Sequence, residues 1–120
     1  MSLPSQSAIV ATTDATLTTL LTIAIPSNKI VTIIGRVTAR RTGGTAGTAE
    51  DGAFFIYNGA YNNISGTATL IGEDFINVGA SQVDWTLTSA VSSGNLLLQV
   101  TGAVDNNINW TGYVELLTQG

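Results

Sequence analysis

The sequence predicts an all-β protein folded as an antiparallel two-sheet β-sandwich, jelly-roll-like, of about eight strands. Three observations carry this. Short runs rich in Val, Ile, Thr and aromatic residues alternate apolar and polar positions with a period of two. Turn signals of Gly, Asn, Ser and Pro interrupt them every 8–14 residues or so. No stretch of useful length carries the 3.6-residue period of an amphipathic helix. A closed barrel satisfies the same spacing, because strand count and turn spacing do not distinguish the two.

In chain order, residues 1–11 contain Pro4 and several serines with no core of their own, and are expected to form an N-terminal arm. Residues 12–120 then form the single sandwich domain. The first strand spans 16–25, with Leu21, Ile23 and Ile25 on one face, and Pro26-Ser27-Asn28 turns the chain. The second spans 29–41. Val31, Ile33, Val37 and Ala39 share one face; Thr32, Arg36, Thr38 and Arg40 share the other, where Ile30 and Ile34 are apolar exceptions. Arg36 and Arg40 thus project the same way, about 13 Å apart, and Arg41 projects the opposite way.

A loop over 42–50 follows, with three glycines and only small side chains before Glu50. The strand at 53–57 is apolar on both faces, as expected of a central strand or of one whose outer face meets a partner. Asn58-Gly59 ends it, and Ser65-Gly66 makes the next turn. Two short strands follow, 67–71 and 75–78, separated by Gly72-Glu73-Asp74. Val83, Trp85 and Leu87 alternate with polar residues in a half-buried strand. Ser92-Ser93-Gly94-Asn95 is a hairpin turn, and Leu96, Leu98 and Val100 face inward after it. Asp105-Asn106-Asn107 turns into the last strand, where Ile108, Trp110, Val114 and Leu116 share a face.

Composition restricts the chemistry. The 120 residues include no histidine and no cysteine. This excludes the commonest general base, Ser-His and Cys-His nucleophiles, thiolate metal sites and a disulfide framework. Only four residues are basic against eight acidic, a poor complement for nucleic acid. No apolar run approaches a membrane span, and the first residues lack a secretory signal pattern. Charged residues make up 10% of the chain, so its surface is solvated by hydroxyls and amides and is easily covered by a partner.

Glu50-Asp51 and Glu73-Asp74 are the acid pairs. In extended chain the members of each pair point to opposite faces, so neither makes a catalytic dyad by itself. They read as solvated turn residues or partners of the arginines. Asp105-Asn106-Asn107 lacks calcium-loop spacing and reads as an asparagine-rich turn. Gly43-Gly44 and Gly47 lack the Lys-Ser/Thr and helix of a phosphate loop. Trp85 and Trp110 are expected in the core; Tyr61 and Tyr113 are less clearly placed, able to stack on sugars, although lone tyrosines usually just pack. No enzyme activity, cofactor or metal is expected.

Three of the four basic residues, Arg36, Arg40 and Arg41, root the 42–50 loop on one side, with Glu50 and Asp51 on the other. Charge pairing across the loop base, within the chain or between subunits, is favoured over an anionic ligand. Arg36, Arg40, Arg41, Thr42, Gly43, Gly44, Glu50 and Asp51 are therefore the candidate protein-interface residues. The loop is expected to lie flat against another protein.

Several stretches resemble one another's counterparts in a known group. They are Thr12-Thr13-Asp14-Ala15-Thr16, Ile23-Ala24-Ile25-Pro26, the loop from Ala39-Arg40-Arg41-Thr42-Gly43-Gly44 to Gly47-Thr48-Ala49-Glu50-Asp51-Gly52-Ala53, Gly66-Thr67-Ala68-Thr69-Leu70-Ile71-Gly72, and Val100-Thr101-Gly102 to Asn107-Ile108-Asn109-Trp110. Together, over about residues 12–117, the chain resembles small β-sandwich virion structural proteins of tailed bacteriophages, both stand-alone proteins and fibre-associated modules. The resemblance implies a non-enzymatic virion protein, assembled in the host cytoplasm and expected to form a homotrimer. Two roles compete. The first expectation is a capsid decoration or cement protein on the major capsid protein or another virion protein, favoured by the lack of a coiled-coil or β-helical shaft in these residues. The alternative is a tail-fibre or spike module that recognises a host surface glycan. A free carbohydrate-binding or lectin-like module is a third reading, on fold alone.

Overall fold

The computed structural model describes residues 4–80 and 84–120, without the side chains of Val78 and Ala80. Eight strands make two antiparallel sheets: β1 (Ser5–Thr12), β2 (Thr18–Ala24), β3 (Ile30–Gly44), β4 (Gly52–Ile64), β5 (Thr67–Ala80), β6 (Thr86–Ser92), β7 (Asn95–Thr101) and β8 (Asn106–Gln119). One sheet has the order β1-β8-β3-β4-β5 and the other β2-β7-β6. The expected sandwich is present. It is jelly-roll-like in setting β1 beside β8 and β2 beside β7, while β3, β4 and β5 continue as a meander.

Alternation along each strand builds the core. On β3, Val31, Ile33, Gly35, Val37 and Ala39 are buried and the residues alternating with them are exposed. On β8, Ile108, Trp110 and Val114 face inward, and Leu21, Ile23, Leu96, Leu98 and Val100 meet them from the smaller sheet. Trp85 and Trp110 are both fully buried, with ring centroids 6.1 Å apart, and Phe55 stacks on Trp110 at 6.4 Å. Each such side chain contributes roughly 1.5–3 kcal/mol by leaving water. Asn63, buried near the other end, donates its side-chain amide to the Ile25 carbonyl at 2.6 Å and so ties the sheets together. Val83, expected on the inward face beside Trp85, lies outside the described residues.

The strand count agrees with expectation, but several boundaries differ, among them the end of β3 at Gly44 and not at 41. Residues 5–11 are not an arm. They belong to β1, which pairs with β8 from Ser5↔Glu115 to Thr12↔Ile108. Its inward residues Gln6, Ala8 and Val10 are small or polar and only half-buried, so the apolar signal of a strand is faint and the backbone ladder holds it. At its end the Thr12 hydroxyl accepts the buried Trp110 indole N–H at 2.9 Å.

The second difference concerns 67–80. Gly72-Glu73-Asp74 does not break the chain there, and the two expected strands are one, β5. Register shifts against β4 place extra residues at Ile71 and Val78, so two β-bulges absorb the irregularity. Likewise β4 runs through Asn58-Gly59 to Ile64, beyond the expected end at 57. The Ser65-Gly66 turn falls as expected, with φ of 56° and 93°, the two positive values of a type I′ hairpin.

Removing residues 1–11 should lower unfolding free energy by more than about 2 kcal/mol, because most of the β1–β8 ladder goes with them. Urea denaturation of the truncated and full chains measures this; an unchanged midpoint would make the segment a dispensable arm.

Candidate functional site

β3 carries most of the candidate residues, and its pleat separates them. On the outer face of the large sheet, Arg36 lies opposite Tyr113, Thr38 opposite Thr111 and Arg40 opposite Asn109. Arg41 turns to the inner side, as the period-two reading expects. The three arginines therefore form no single basic patch.

Arg41 holds the loop. Its Nε donates to the Ala46 carbonyl at 2.9 Å and to Asn106 Oδ1 at 3.0 Å, and its Nη2 donates to the Gly44 carbonyl at 2.8 Å. Its backbone N–H donates to the Asp51 carbonyl at 2.8 Å, across the loop base. The Ala46 N–H reaches the Asp105 carbonyl at 3.0 Å, and the Thr42 hydroxyl donates to the Asn107 carbonyl at 3.2 Å. The loop thus rests on the turn between β7 and β8. Gly44 has a φ of 107°, and a Cβ there would collide with the Asp105 carbonyl, so this approach requires glycine. Asp51 accepts the Thr48 N–H at 2.8 Å, which shapes the far side of the loop. The expectation that Arg41 is held by charge is thereby refined: its guanidinium caps carbonyls and a buried amide, which no sequence pattern displays.

Arg40 pairs with Glu50 at 3.5 Å, in the open, as expected of the loop base. An exposed pair of this kind contributes little and leaves both groups available. With Thr38, Thr42, Asn109 and Thr111 they line a groove of about 560 Å³ between β3, β8 and the loop. That volume lies within the small-ligand range. Its lining is mostly apolar surface, from Ala39, Ala49 and the carbon atoms of the polar side chains, with hydroxyl, amide, guanidinium and carboxylate groups set into it.

A second polar cluster was not foreseen. Glu73 Oε2 accepts the Tyr57 hydroxyl at 2.9 Å, the Tyr61 hydroxyl at 3.0 Å and the Ser89 hydroxyl at 2.8 Å. The two phenol oxygens lie 2.8 Å apart. Glu73 is therefore a strand residue that gathers three hydroxyls while staying exposed, not a turn residue, and Tyr61 is buried, not free to stack on a sugar. Gly59 makes room: a Cβ there would strike the Tyr57 hydroxyl. Continuing the period of two through Asn58-Gly59 would have set Tyr57 and Tyr61 on one face. Ser89 belongs to β6, so the cluster bridges the two sheets. Burial, then the hydrogen bond to Tyr61 and the neighbouring Glu73, holds the Tyr57 proton well beyond the ordinary phenol range. Tyr61 is raised too, chiefly by burial.

No family model and no curated protein matches the sequence. Among solved structures, the chain is similar to the tailspike protein of Acinetobacter baumannii phage AM24, with a TM-score of 0.50 and 11% identity over 97% of this chain. It is also similar to tailspike protein gp49 of Acinetobacter baumannii bacteriophage Fri1, a capsular polysaccharide depolymerase, with a TM-score of 0.42, 14% identity and 92% of this chain covered. The tailspike of Acinetobacter phage vB_ApiP_P1 gives a TM-score of 0.41 and 17% identity over 97% of this chain. The chain spans 27%, 17% and 21% of those three chains respectively. The likeness to the first is one of fold.

Arg41→Ala should cost about 2 kcal/mol of stability by stranding its acceptors, whereas Arg40→Ala should stay within about 0.5 kcal/mol. Urea midpoints that rank the two variants the other way would contradict this division. The raised tyrosines set a pH dependence. Their stabilisation is intact below the unfolded phenol value of about 10 and is lost as pH rises above it. Unfolding free energy should fall above about pH 10, and less steeply in Tyr57→Phe/Tyr61→Phe; an identical decline in that variant would contradict the assignment.

Proposed function

We propose that this chain is a non-enzymatic module of a bacteriophage tail spike or tail fibre, and that the groove between β3 and β8 holds a host-surface glycan. The observation that carries the reading is the fold it shares, across 97% of its length, with part of a phage tailspike. The resemblance of its loop and turn sequences to phage virion modules points the same way. The tailspike likeness favours this reading over a cement protein on the head lattice, the first expectation from sequence.

The groove supplies the chemistry. Arg40 offers a fork of N–H donors, Glu50 an acceptor, Asn109 both, and Thr38, Thr42 and Thr111 hydroxyls. Sugars present the same mixture of donors and acceptors. Among the described residues the lining holds one carboxylate, Glu50. Glycoside hydrolysis by the usual route needs a pair, so the site is read as binding without cleavage. Tyr113, one row along β8 on the same exposed face, adds an aromatic edge to the polar strip.

Titration of the purified chain against a panel of bacterial surface polysaccharides tests this. Binding should be detected, Arg40→Ala should weaken it about tenfold or more, and Lys29→Ala, at the other end of β3, should leave it unchanged. Absence of binding to any glycan, or equal binding by Arg40→Ala, would overturn the groove assignment. Labelling that found the protein over heads and not tails would return the decoration role.

A further inference from the structure

The groove at Arg40 is one end of a longer strip. On the outer face of the large sheet, Arg40 lies opposite Asn109, Arg36 opposite Tyr113 and Thr32 opposite Leu117, and the β3–β8 pairs alternating between them point the same way. At about 3.3 Å per residue, the distance from Arg40 to Thr32 is about 26 Å, more than any single sugar ring spans. Hollows follow one another along it. Beyond the groove, one of about 190 Å³ opens around Arg36, Tyr113 and Glu115, and another of about 150 Å³ around Thr32, Glu115 and Leu117. Tyr113, Ile34 and Leu117 are 39%, 60% and 55% exposed on this part of the strip. Sugar rings are amphipathic in a matching way, with hydroxyls at the rim and an apolar C–H face that packs on aromatic and aliphatic side chains. A glycan confined to the groove leaves these side chains in water, whereas a chain laid along β3 and β8 covers them.

Charge along the strip is uneven. Arg40 has Glu50 at 3.5 Å. Arg36 is exposed and makes no ion pair or hydrogen bond among the described residues. Glu115 borders the same hollow without pairing with it. A free guanidinium offers a planar fork of donors that matches a carboxylate. Neutral hydroxyls are served as well by threonine and asparagine, which line the groove end. The net charge of −4 opposes a densely charged polymer. Glu115, one row beyond Arg36, repels an acid group that slips past it. A chain of mainly neutral sugars, with acidic sugars at intervals and bound in one register, meets all of these conditions.

We propose that the strip holds an extended polysaccharide containing acidic sugars, which runs along β3 and β8 from the groove to Leu117, and that Arg36 is the subsite for a sugar carboxylate. Tyr113 packs on the ring that carries this group. Arg36 then sets the charge specificity, while Arg40, beside Glu50, holds hydroxyls. The inference rests on the glycan reading of the groove and adds to it the class of sugar and the length of chain.

Titration of the full chain against bacterial surface polysaccharides that contain uronic acids, each before and after chemical reduction of its carboxyls to alcohols, tests it. Circular dichroism confirms that each variant is folded. The native polymers should bind about tenfold or more tightly than the reduced ones. Arg36→Ala should bring the native polymers down to the level of the reduced ones, and Arg36→Lys should keep part of the difference. Arg40→Ala should weaken both forms alike. A disaccharide cut from a bound polymer should bind more weakly than a long oligosaccharide. Equal binding of native and reduced polymers, an Arg36→Ala variant that still tells them apart, or a disaccharide as tight as the long chain would overturn the inference and leave the glycan reading of the groove in place. Absence of binding to any glycan would overturn both.

Discussion

β3 is the constraint on which the other elements depend. Its 15 residues are hydrogen-bonded along nearly their whole length to β8 on one side and β4 on the other. A strand held on both edges has no freedom of register, and a slip of one residue would turn every side chain to the wrong face. Because the register is held, Val31, Ile33, Val37 and Ala39 stay in the core while Arg36, Thr38 and Arg40 stay in solvent. Arg41 necessarily falls beneath the loop that β3 leads into. The core face, the groove and the loop support are thus three consequences of one strand placement. The last strand of the chain, β8, completes the arrangement by carrying β1 on its far edge.

The narrow second sheet has its own consequence. With three strands beneath five, β5 cannot bury both faces, and its residues remain largely exposed. Phe75 retains one aromatic neighbour, Tyr57, at a centroid distance of 5.0 Å. Glu73 stays exposed, and its hydrogen bond from Ser89 ties β5 to β6. This polar latch anchors the strand together with buried Ala68 near its start. The same economy leaves Leu70, Ile71 and Ile76 exposed along it.

Much of this was legible in the residues. Alternation around Trp85 and Trp110 identified core faces, and both rings are fully buried. Period-two counting separated Arg36 and Arg40 from Arg41. Other features were hidden for physical reasons. β1 is a weak apolar pattern held by its ladder, so only the presence of β8 reveals it. Gly72-Glu73-Asp74 resembles a turn until bulges and inward partners for Glu73 are known. Tyr57 and Tyr61 come together only if the strand passes through Asn58-Gly59, a pair that ordinarily signals a turn. The acceptors of Arg41 are mostly backbone carbonyls, which side-chain chemistry does not encode.

The groove, the supported loop and the apolar flank are all placed by the sheet that β3 centres. Amide hydrogen exchange resolved along the chain measures directly how firmly β3 is held. Residues 33–39 should form the slowest class, exchanging only through global unfolding, with β4 and β8 close behind and the outward amides of β1 faster. Amides of β3 that exchange by local opening, more readily than those of the edge strands, would contradict the central place given to this strand.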